Sequence, residues 1–335
     1  MRALIRADAG PQIGLGHVMR CLALAGPLRA MGAEVTFLGR GYAPSVQRTI
    51  RARGCVPIAL PQNEDDQRAT CLQARERGAD AVVVDVYGIN EAYLRALRDT
   101  GVVLVSLDDH NLMSFPSHLV VNPNRFALDM QYRSSTGDTQ FLLGPAYFLL
   151  REEFLKTCEV SHGIAPQARN LLISMGGSDP GGYTEKVVRA VAPLGLETVV
   201  IRGSASGGPS AAAGPNVRVI ADPPDMAEWM LWADLAVTSG GGTIYELAAT
   251  GTPGIVLAQV PDQEHNAAAM EREGTLVSLG LGADVSEDTI ACAVQALAGD
   301  APRRQAMSRR GRETVDGAGA RQVAEAIRSL CQKRV

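Results

Sequence analysis

The sequence predicts an α/β protein with two parallel-sheet halves, and three observations carry that prediction. Short runs of continuously apolar residues recur along the chain, as strands buried on both faces require. Several of these runs give way, across a glycine-containing turn, to apolar residues at helical spacing. The alternation occurs twice, on either side of a stretch punctuated by Gly and Pro, and 335 residues suffice for two cores.

In the first half, residues 3–5 read as the opening strand, followed by a glycine turn and then Val18, Cys21, Leu22 and Leu28 at helix-compatible spacing. Residues 35–38, 82–86, 102–107 and 119–121 supply further strands, with charged helical segments between several of them. Gly144-Pro145 and the later Gly163 and Pro166 set a boundary near residue 155, giving domains 1–155 and 156–335. The second half repeats the pattern with strands at 171–175, 199–202, 217–220, 235–238 and 255–258, and helices at 184–192, 225–233, 244–249 and 266–273. Residues 203–214, rich in Gly, Pro, Ser and Ala, read as a surface loop. Residues 319–334 read as a helix that either completes the second domain or returns to brace the first. Arg303, Arg304, Arg309, Arg310 and Arg312 read as a solvated helical face, offset by Glu313 and Asp316.

Composition narrows the function. A chain with 46% hydrophobic and 20% charged residues is neither disordered nor a polytopic membrane protein, and its net charge of -4 argues against a general nucleic-acid binder. Six cysteines, at 21, 55, 71, 158, 292 and 331, are scattered without C-x-x-C spacing and read as thiols of a reducing compartment. The apolar start meets Arg6 and Asp8 too soon for a signal-peptide core, so the expected location is the cytoplasm. The histidines form no H-E-x-x-H pattern, and no metal is expected.

The chemistry-bearing stretches are glycine loops at strand ends. Arg6-Ala7-Asp8-Ala9-Gly10 leads to Gly14-Leu15-Gly16-His17, which sets His17 at the opening of a helix, where exposed amides suit an anion or polar substrate. Met19 replaces the third glycine of a dinucleotide fingerprint, and the next strand ends at Gly39-Arg40 instead of a ribose-binding carboxylate, so NAD is disfavoured. No glycine loop ends in G-K-[ST], which removes support for a P-loop. Ser239-Gly240-Gly241-Gly242-Thr243 follows a strand and opens a helix, allowing close backbone approach to a diphosphate, with Glu246 available to sugar hydroxyls or, alternatively, as a helix-stabilising acid. Ser174, Gly176 and Gly177 form another strand-end loop. Asp225 and Met226 expose amides beside a base or simply cap a helix, and Gln263, His265 and Asn266 contact sugar or phosphate or serve the helix start, where Asp262 or Asn266 would cap.

Together with Asp85-Val86-Tyr87, Asp108-Asp109, Asn122-Pro123-Asn124 and Leu143-Gly144-Pro145-Ala146-Tyr147, these motifs cover nearly the whole chain. They resemble the UDP-2,4-diacetamido-2,4,6-trideoxy-beta-L-altropyranose hydrolase family of pseudaminic-acid biosynthesis. The resemblance implies a GT-B-like fold, similar to the peptidoglycan glycosyltransferase family, with two Rossmann-like domains facing across a crevice. It also implies UDP on the second half and catalytic His17 on the first. The implied reaction is inverting hydrolysis of the UDP-linked diacetamido-trideoxy sugar by water, without cofactor, membrane partner or nucleic acid. Oligomeric state stays open, a monomer being compatible.

Under that reading His17 is the base, with helix capping as its ordinary alternative, Tyr87 orients water or a sugar hydroxyl, and Asp85 orients His17 or caps the strand end. Arg6, Asp8, Gly14, Gly16, Asp108, Asp109 and Asn122 meet the sugar, with loop closure as the ordinary alternative for the last three. His110 is a candidate second base or a turn residue. A UDP-sugar glycosyltransferase and a noncatalytic nucleotide-sugar binding protein are the competing functions.

Overall fold

The computed structural model describes residues 1–10, 14–160, 163–177, 179–203 and 215–333. The surface loop expected at 203–214 lies outside them apart from Gly203, as do Ser178 and the last residue of the expected terminal helix. Two compact units are present: Met1–Glu152 together with the C-terminal segment from Ala318, and Glu153–Gly317.

The first unit runs β1 (Arg2–Ala7), α1 (Gly16–Ala30), β2 (Glu34–Gly39), α2 (Pro44–Ala52), β3 (Val56–Ala59), α3 (Asp66–Glu76), β4 (Ala81–Asp85), α4 (Glu91–Arg98), β5 (Val103–Leu107), β6 (Leu119–Asn122) and β7 (Gln140–Leu143). The short α5 (Glu152–Leu155) crosses into the second unit, which continues with β8 (Asn170–Ser174), α6 (Tyr183–Val191), β9 (Glu197–Arg202), β10 (Val217–Ala221), α7 (Met226–Trp232), β11 (Leu235–Thr238), α8 (Thr243–Thr250), β12 (Gly254–Ala258), α9 (Pro261–Arg272), β13 (Leu276–Leu281), α10 (Glu287–Gly299) and α11 (Ala301–Thr314). The chain then returns to the first unit as α12 (Gly319–Gln332).

Both sheets are entirely parallel. The first has the order β3-β2-β1-β4-β5-β6-β7 and the second β10-β9-β8-β11-β12-β13. Alternate residues of each central strand enter opposite cores, because side chains alternate across a sheet. Ile5, Val83 and Val105 meet α1, α2 and α12 on one face, while Leu4, Val82 and Leu104 meet α3 and α4 on the other. In the second unit, Leu171, Ile173, Val200 and Val237 pack with Val187 of α6 and Ile290 of α10.

The strands not foreseen in the sequence are β3, β7 and β13, and all three lie at sheet edges. Each is short or interrupted: β3 carries Pro57, β7 has three apolar residues after Gln140, and β13 is broken by Ser278 and Gly280. Helix α9 begins at Pro261, five residues before the expected start at 266, with Pro in its first turn. Its N-cap is Val260 without a side-chain cap, so neither Asp262 nor Asn266 caps it.

The arginine-rich α11 is not uniformly a solvated face. Arg304 is fully buried and donates to the carbonyls of Leu297, Ala298, Ala165 and Pro166, joining the end of α10 to the entry of the unit. Arg312 donates to the carbonyls of Val160 and Cys158. Only Arg303, Arg309 and Arg310 are exposed.

Helix α12 buries Val323, Ala324 and Ile327 in the first core, where they join Leu24 and Leu28 of α1. Although it is last in sequence, it is therefore a structural part of the first unit. Ile327→Ala should destabilise that unit by about 2–5 kcal/mol, the usual cost of truncating a fully buried aliphatic side chain, read as a lower urea midpoint. An unchanged midpoint would show that α12 is not part of that core.

Candidate active site

In a parallel sheet all carboxyl ends face one edge, and the loops leaving two strands diverge where the strand order reverses. The first sheet reverses between β1 and β4, and the second between β8 and β11. His17, Asp85 and Tyr87 lie at the first of these places and Ser174, Gly176, Gly177 and the Gly240–Thr243 loop at the second, while Asp108 and Asp109 follow β5, Asn122 ends β6, Asp225 precedes α7, and Gln263, His265 and Asn266 lie in α9.

At the first, Gly10 and Gly14 exchange both backbone hydrogen bonds, at 3.2 and 2.7 Å, fixing the base of the loop before α1. His17 follows in the first turn of that helix and is only 6% exposed. Tyr87, just after β4, is 59% exposed, and its ring meets the His17 imidazole edge-on at 4.5 Å between centroids. The His110 ring lies 5.8 Å from that of Tyr87 between centroids.

Asp85, the last residue of β4, is 1% exposed. It does not orient His17 by a hydrogen bond: His17 Nδ1 stands 3.9 Å from Asp85 Oδ1 and is buried without a hydrogen-bond partner among the described residues. Both Asp85 oxygens are instead taken by Arg20, through Nε at 2.7 Å and through Nη2, and the Cys21 thiol adds a contact at 3.3 Å. Arg20 also reaches Asp109 through Nη1 and Nη2, at 3.0 and 2.9 Å.

The network continues from Asp109. Asn124 Nδ2 donates to Asp109 and to Asn122 Oδ1, Asn122 Nδ2 donates to the Tyr132 hydroxyl at 2.7 Å, and Tyr132 donates to Asp108 at 2.6 Å. Asp108 also accepts the Asn111 amide. Asp108, Asp109 and Asn122 thus serve the loop-closure role that their sequence context left open.

Burial is the leading influence on His17 and lowers its pKa below the ordinary 6.5; among the neighbouring charges Asp85, Asp109 and Asp8 oppose that shift and Arg20 reinforces it. Burial alone would raise the Asp109 pKa, but the Arg20 guanidinium outweighs it and holds the carboxyl below the usual range. For Tyr132, burial and the bond to Asp108 push the phenol upward, so it remains a donor.

Arg6 is not placed to meet a ligand. It is 1% exposed and its guanidinium is committed to Asp8 and Asp66, while Asp8 also accepts the Arg40 amide at 2.6 Å. A charge this deeply buried is held by partners, so this pair braces the loop after β1. Gly14 and Gly16 flank the exposed Leu15 at the entrance to α1.

At the second reversal, the β8 end supplies Ser174, Gly176 and Gly177, and the β11 end supplies Gly240, Gly241, Gly242 and Thr243 before α8. The Thr238 hydroxyl ties the two strands by donating to the Ser174 carbonyl at 2.6 Å. Gly176 has φ +82, a backbone region that disfavours a side chain. At Gly240 a Cβ would fall 2.4 Å from the Gln263 carbonyl oxygen, so only glycine allows this close packing. Helix α8 starts at Thr243 with no side-chain cap, and Glu246 is buried in its first turn.

Gln263 and Asn266 hold this loop from behind. Gln263 Oε1 accepts the amides of Gly240 and Gln259, at 3.2 and 3.0 Å. Asn266 Nδ2 donates to the Gly240 carbonyl, and its Oδ1 accepts the Tyr245 hydroxyl. These side chains turn toward the glycine loop, and His265 between them is exposed. Asp225 caps α7 by accepting the amides of Ala227 and Glu228, and Met226 is buried, which decides that pair in favour of capping.

Arg20, Asn124 and Tyr132 were given no role of their own in the sequence reading. Arg20 had a signal, since three residues after His17 puts it on the same helix face. Among the described residues no group of three or more His, Cys, Asp or Glu is arranged to hold a metal ion. No helix among them is long and apolar enough to cross a membrane.

Residues 182–325 match the Glycosyltransferase family 28 C-terminal domain. MurG of Acinetobacter baumannii superposes with a TM-score of 0.68 at 15% identity, covering 98% of this chain and 99% of that one. The fold is GT-B. Over 347 aligned residues and the full length of both chains, the sequence is 27% identical to the spore coat polysaccharide biosynthesis protein SpsG of Bacillus subtilis (strain 168). It is also 22% identical to the UDP-2,4-diacetamido-2,4,6-trideoxy-beta-L-altropyranose hydrolase of Campylobacter jejuni, with 82% of this chain and 97% of that protein covered. The resemblance read from the motifs thus has a counterpart spanning most of the chain.

Gly240→Ala should displace the loop against α9 and destabilise the second unit by about 1–3 kcal/mol, measured by urea unfolding. Wild-type stability would mean that the packing of Gly240 on Gln263 is looser than its geometry implies.

Proposed function

We propose that this GT-B chain is a nucleotide-sugar enzyme that hydrolyses UDP-2,4-diacetamido-2,4,6-trideoxy-beta-L-altropyranose to UDP and the free sugar. The reading rests above all on His17: a buried imidazole whose environment favours the neutral form, against an exposed tyrosine ring at the first sheet's reversal. The relative from Campylobacter jejuni supports the substrate class, and the domain match over residues 182–325 supports a nucleotide-sugar reaction.

In this mechanism the second unit holds UDP. The uncapped start of α8 offers amides and the positive end of its dipole to the diphosphate, and Glu246 serves sugar hydroxyls. His17 of the first unit accepts a proton from water as the water oxygen bonds to the anomeric carbon. The bond from that carbon to the β-phosphate oxygen breaks on the opposite face, and its electron pair leaves with UDP. One displacement inverts the anomeric centre and puts the solvent oxygen in the sugar. Tyr87 orients the water or a sugar hydroxyl.

A second reading, a UDP-sugar glycosyltransferase, is favoured by the family 28 domain match and the polysaccharide-biosynthesis relative. There the same imidazole would take its proton from an acceptor hydroxyl.

Incubation with the UDP-sugar in labelled water separates the readings. Hydrolysis predicts UDP release without an acceptor and label in the free sugar; release only after acceptor addition selects the transferase, and binding without turnover rejects both. His17→Ala should lower kcat by about 10²–10⁴-fold with the fold intact. Because burial lowers the His17 pKa, the proton-free base persists below pH 6.5, and kcat should fall only as pH drops through a midpoint under that value. An acid limb centred above 6.5 would contradict the assignment of this imidazole as the base.

A further inference from the structure

We propose that Arg20 is a positioning residue for the His17 base: its guanidinium fork keeps the Asp85 carboxylate out of hydrogen-bond reach of His17 Nδ1. The inference rests on the reading of His17 as the base and adds how that base is kept apart from its nearest acid.

The geometry is specific. Arg20 lies one helical turn beyond His17 on α1 and binds Asp85 through Nε and Nη2, occupying both carboxylate oxygens. Its remaining reach goes to Asp109, which Asn124 holds from the far side. The fork is therefore fixed by acids from two neighbouring strand ends, β4 and β5, and cannot swing without breaking both pairs. His17 Nδ1 is left 3.9 Å from Asp85, buried and without a hydrogen-bond partner among the described residues.

The charged groups around the imidazole come from every element that meets it: Asp8 after β1, Asp85 at the end of β4, Asp109 after β5 and Arg20 on α1 itself, with Tyr87 and His110 alongside. A carboxylate hydrogen-bonded to Nδ1 would favour imidazolium and fix the ring by that bond. With Asp85 held by Arg20, the ring is fixed by packing on Tyr87 and by burial. If the fork were lost, Asp85, nearly inaccessible itself, would keep the Cys21 thiol at 3.3 Å, and His17 would be the one basic side chain among the described residues left within 4 Å of it.

The test is an NMR titration of His17 in the full chain, for the wild type, Arg20→Gln, and Arg20→Gln combined with Asp85→Asn. Arg20→Gln should move the His17 midpoint up by about one pH unit, and the acid limb of kcat with it. Adding Asp85→Asn should take most of that rise back. Arg20→Lys keeps the charge but has no planar fork, so its smaller rise reads the geometry alone and serves if the Gln variant does not fold. A midpoint that stays or falls on loss of the fork overturns the proposal, as does a double variant that keeps the whole rise. Full turnover in His17→Ala would instead overturn the base reading, an outcome separate from any titration result.

Discussion

One reversal of strand order in each sheet governs where this protein can do chemistry. The first sheet grows outward from β1 in one direction and from β4 in the other, and the helices that follow these strands pack on opposite faces. The loops between them cannot close over the shared strand ends, so the carboxyl edge stays open there. His17 leaves from β1 by way of the glycine turn, and Asp85 and Tyr87 come from the end of β4. The second sheet repeats the arrangement around β8 and β11, whose ends carry Ser174–Gly177 and the three-glycine loop. Each half of the proposed reaction draws its groups from the same kind of place in its own unit.

Around those openings, the polar residues are largely engaged with one another. Arg20, Asp85, Asp109, Asn124, Asn122, Tyr132 and Asp108 form a continuous chain of hydrogen bonds along the first carboxyl edge. Arg6 is held in the same manner by Asp8 and Asp66, and the glycine loop by Gln263 and Asn266. Buried charged and amide groups need such partners, and a network with its members satisfied holds its loops in one arrangement. His17 differs from them, with one ring nitrogen buried and, among the described residues, without a hydrogen-bond partner.

Much of this was legible in the sequence. The central strands announced themselves as apolar runs, and the glycine loops lay where strand gave way to helix. What was hidden had physical causes. Edge strands β3, β7 and β13 are short or interrupted, with Pro57 in β3 and Ser278 and Gly280 in β13, so they stand out less than the central strands. The return of α12 to the first core depends on a contact between the two ends of the chain, which local periodicity does not encode. Asp225, Gln263 and Asn266 bear side chains that suit a ligand or a backbone amide equally well, and only their neighbours in space decide between them. Asp85 was expected beside His17 and is there, but no spacing rule reveals that Arg20 takes both of its oxygens first.

In the proposed reaction the nucleotide is gripped at the second sheet's reversal while the first supplies the base. Hydrogen-exchange mass spectrometry with and without UDP separates these two roles. Exchange should slow at the Gly240–Thr243 amides and the neighbouring 174–177 loop, with the backbone around His17 unaffected by UDP alone. Protection confined to the Gly14–His17 turn, with no change at the glycine loop, would contradict that assignment.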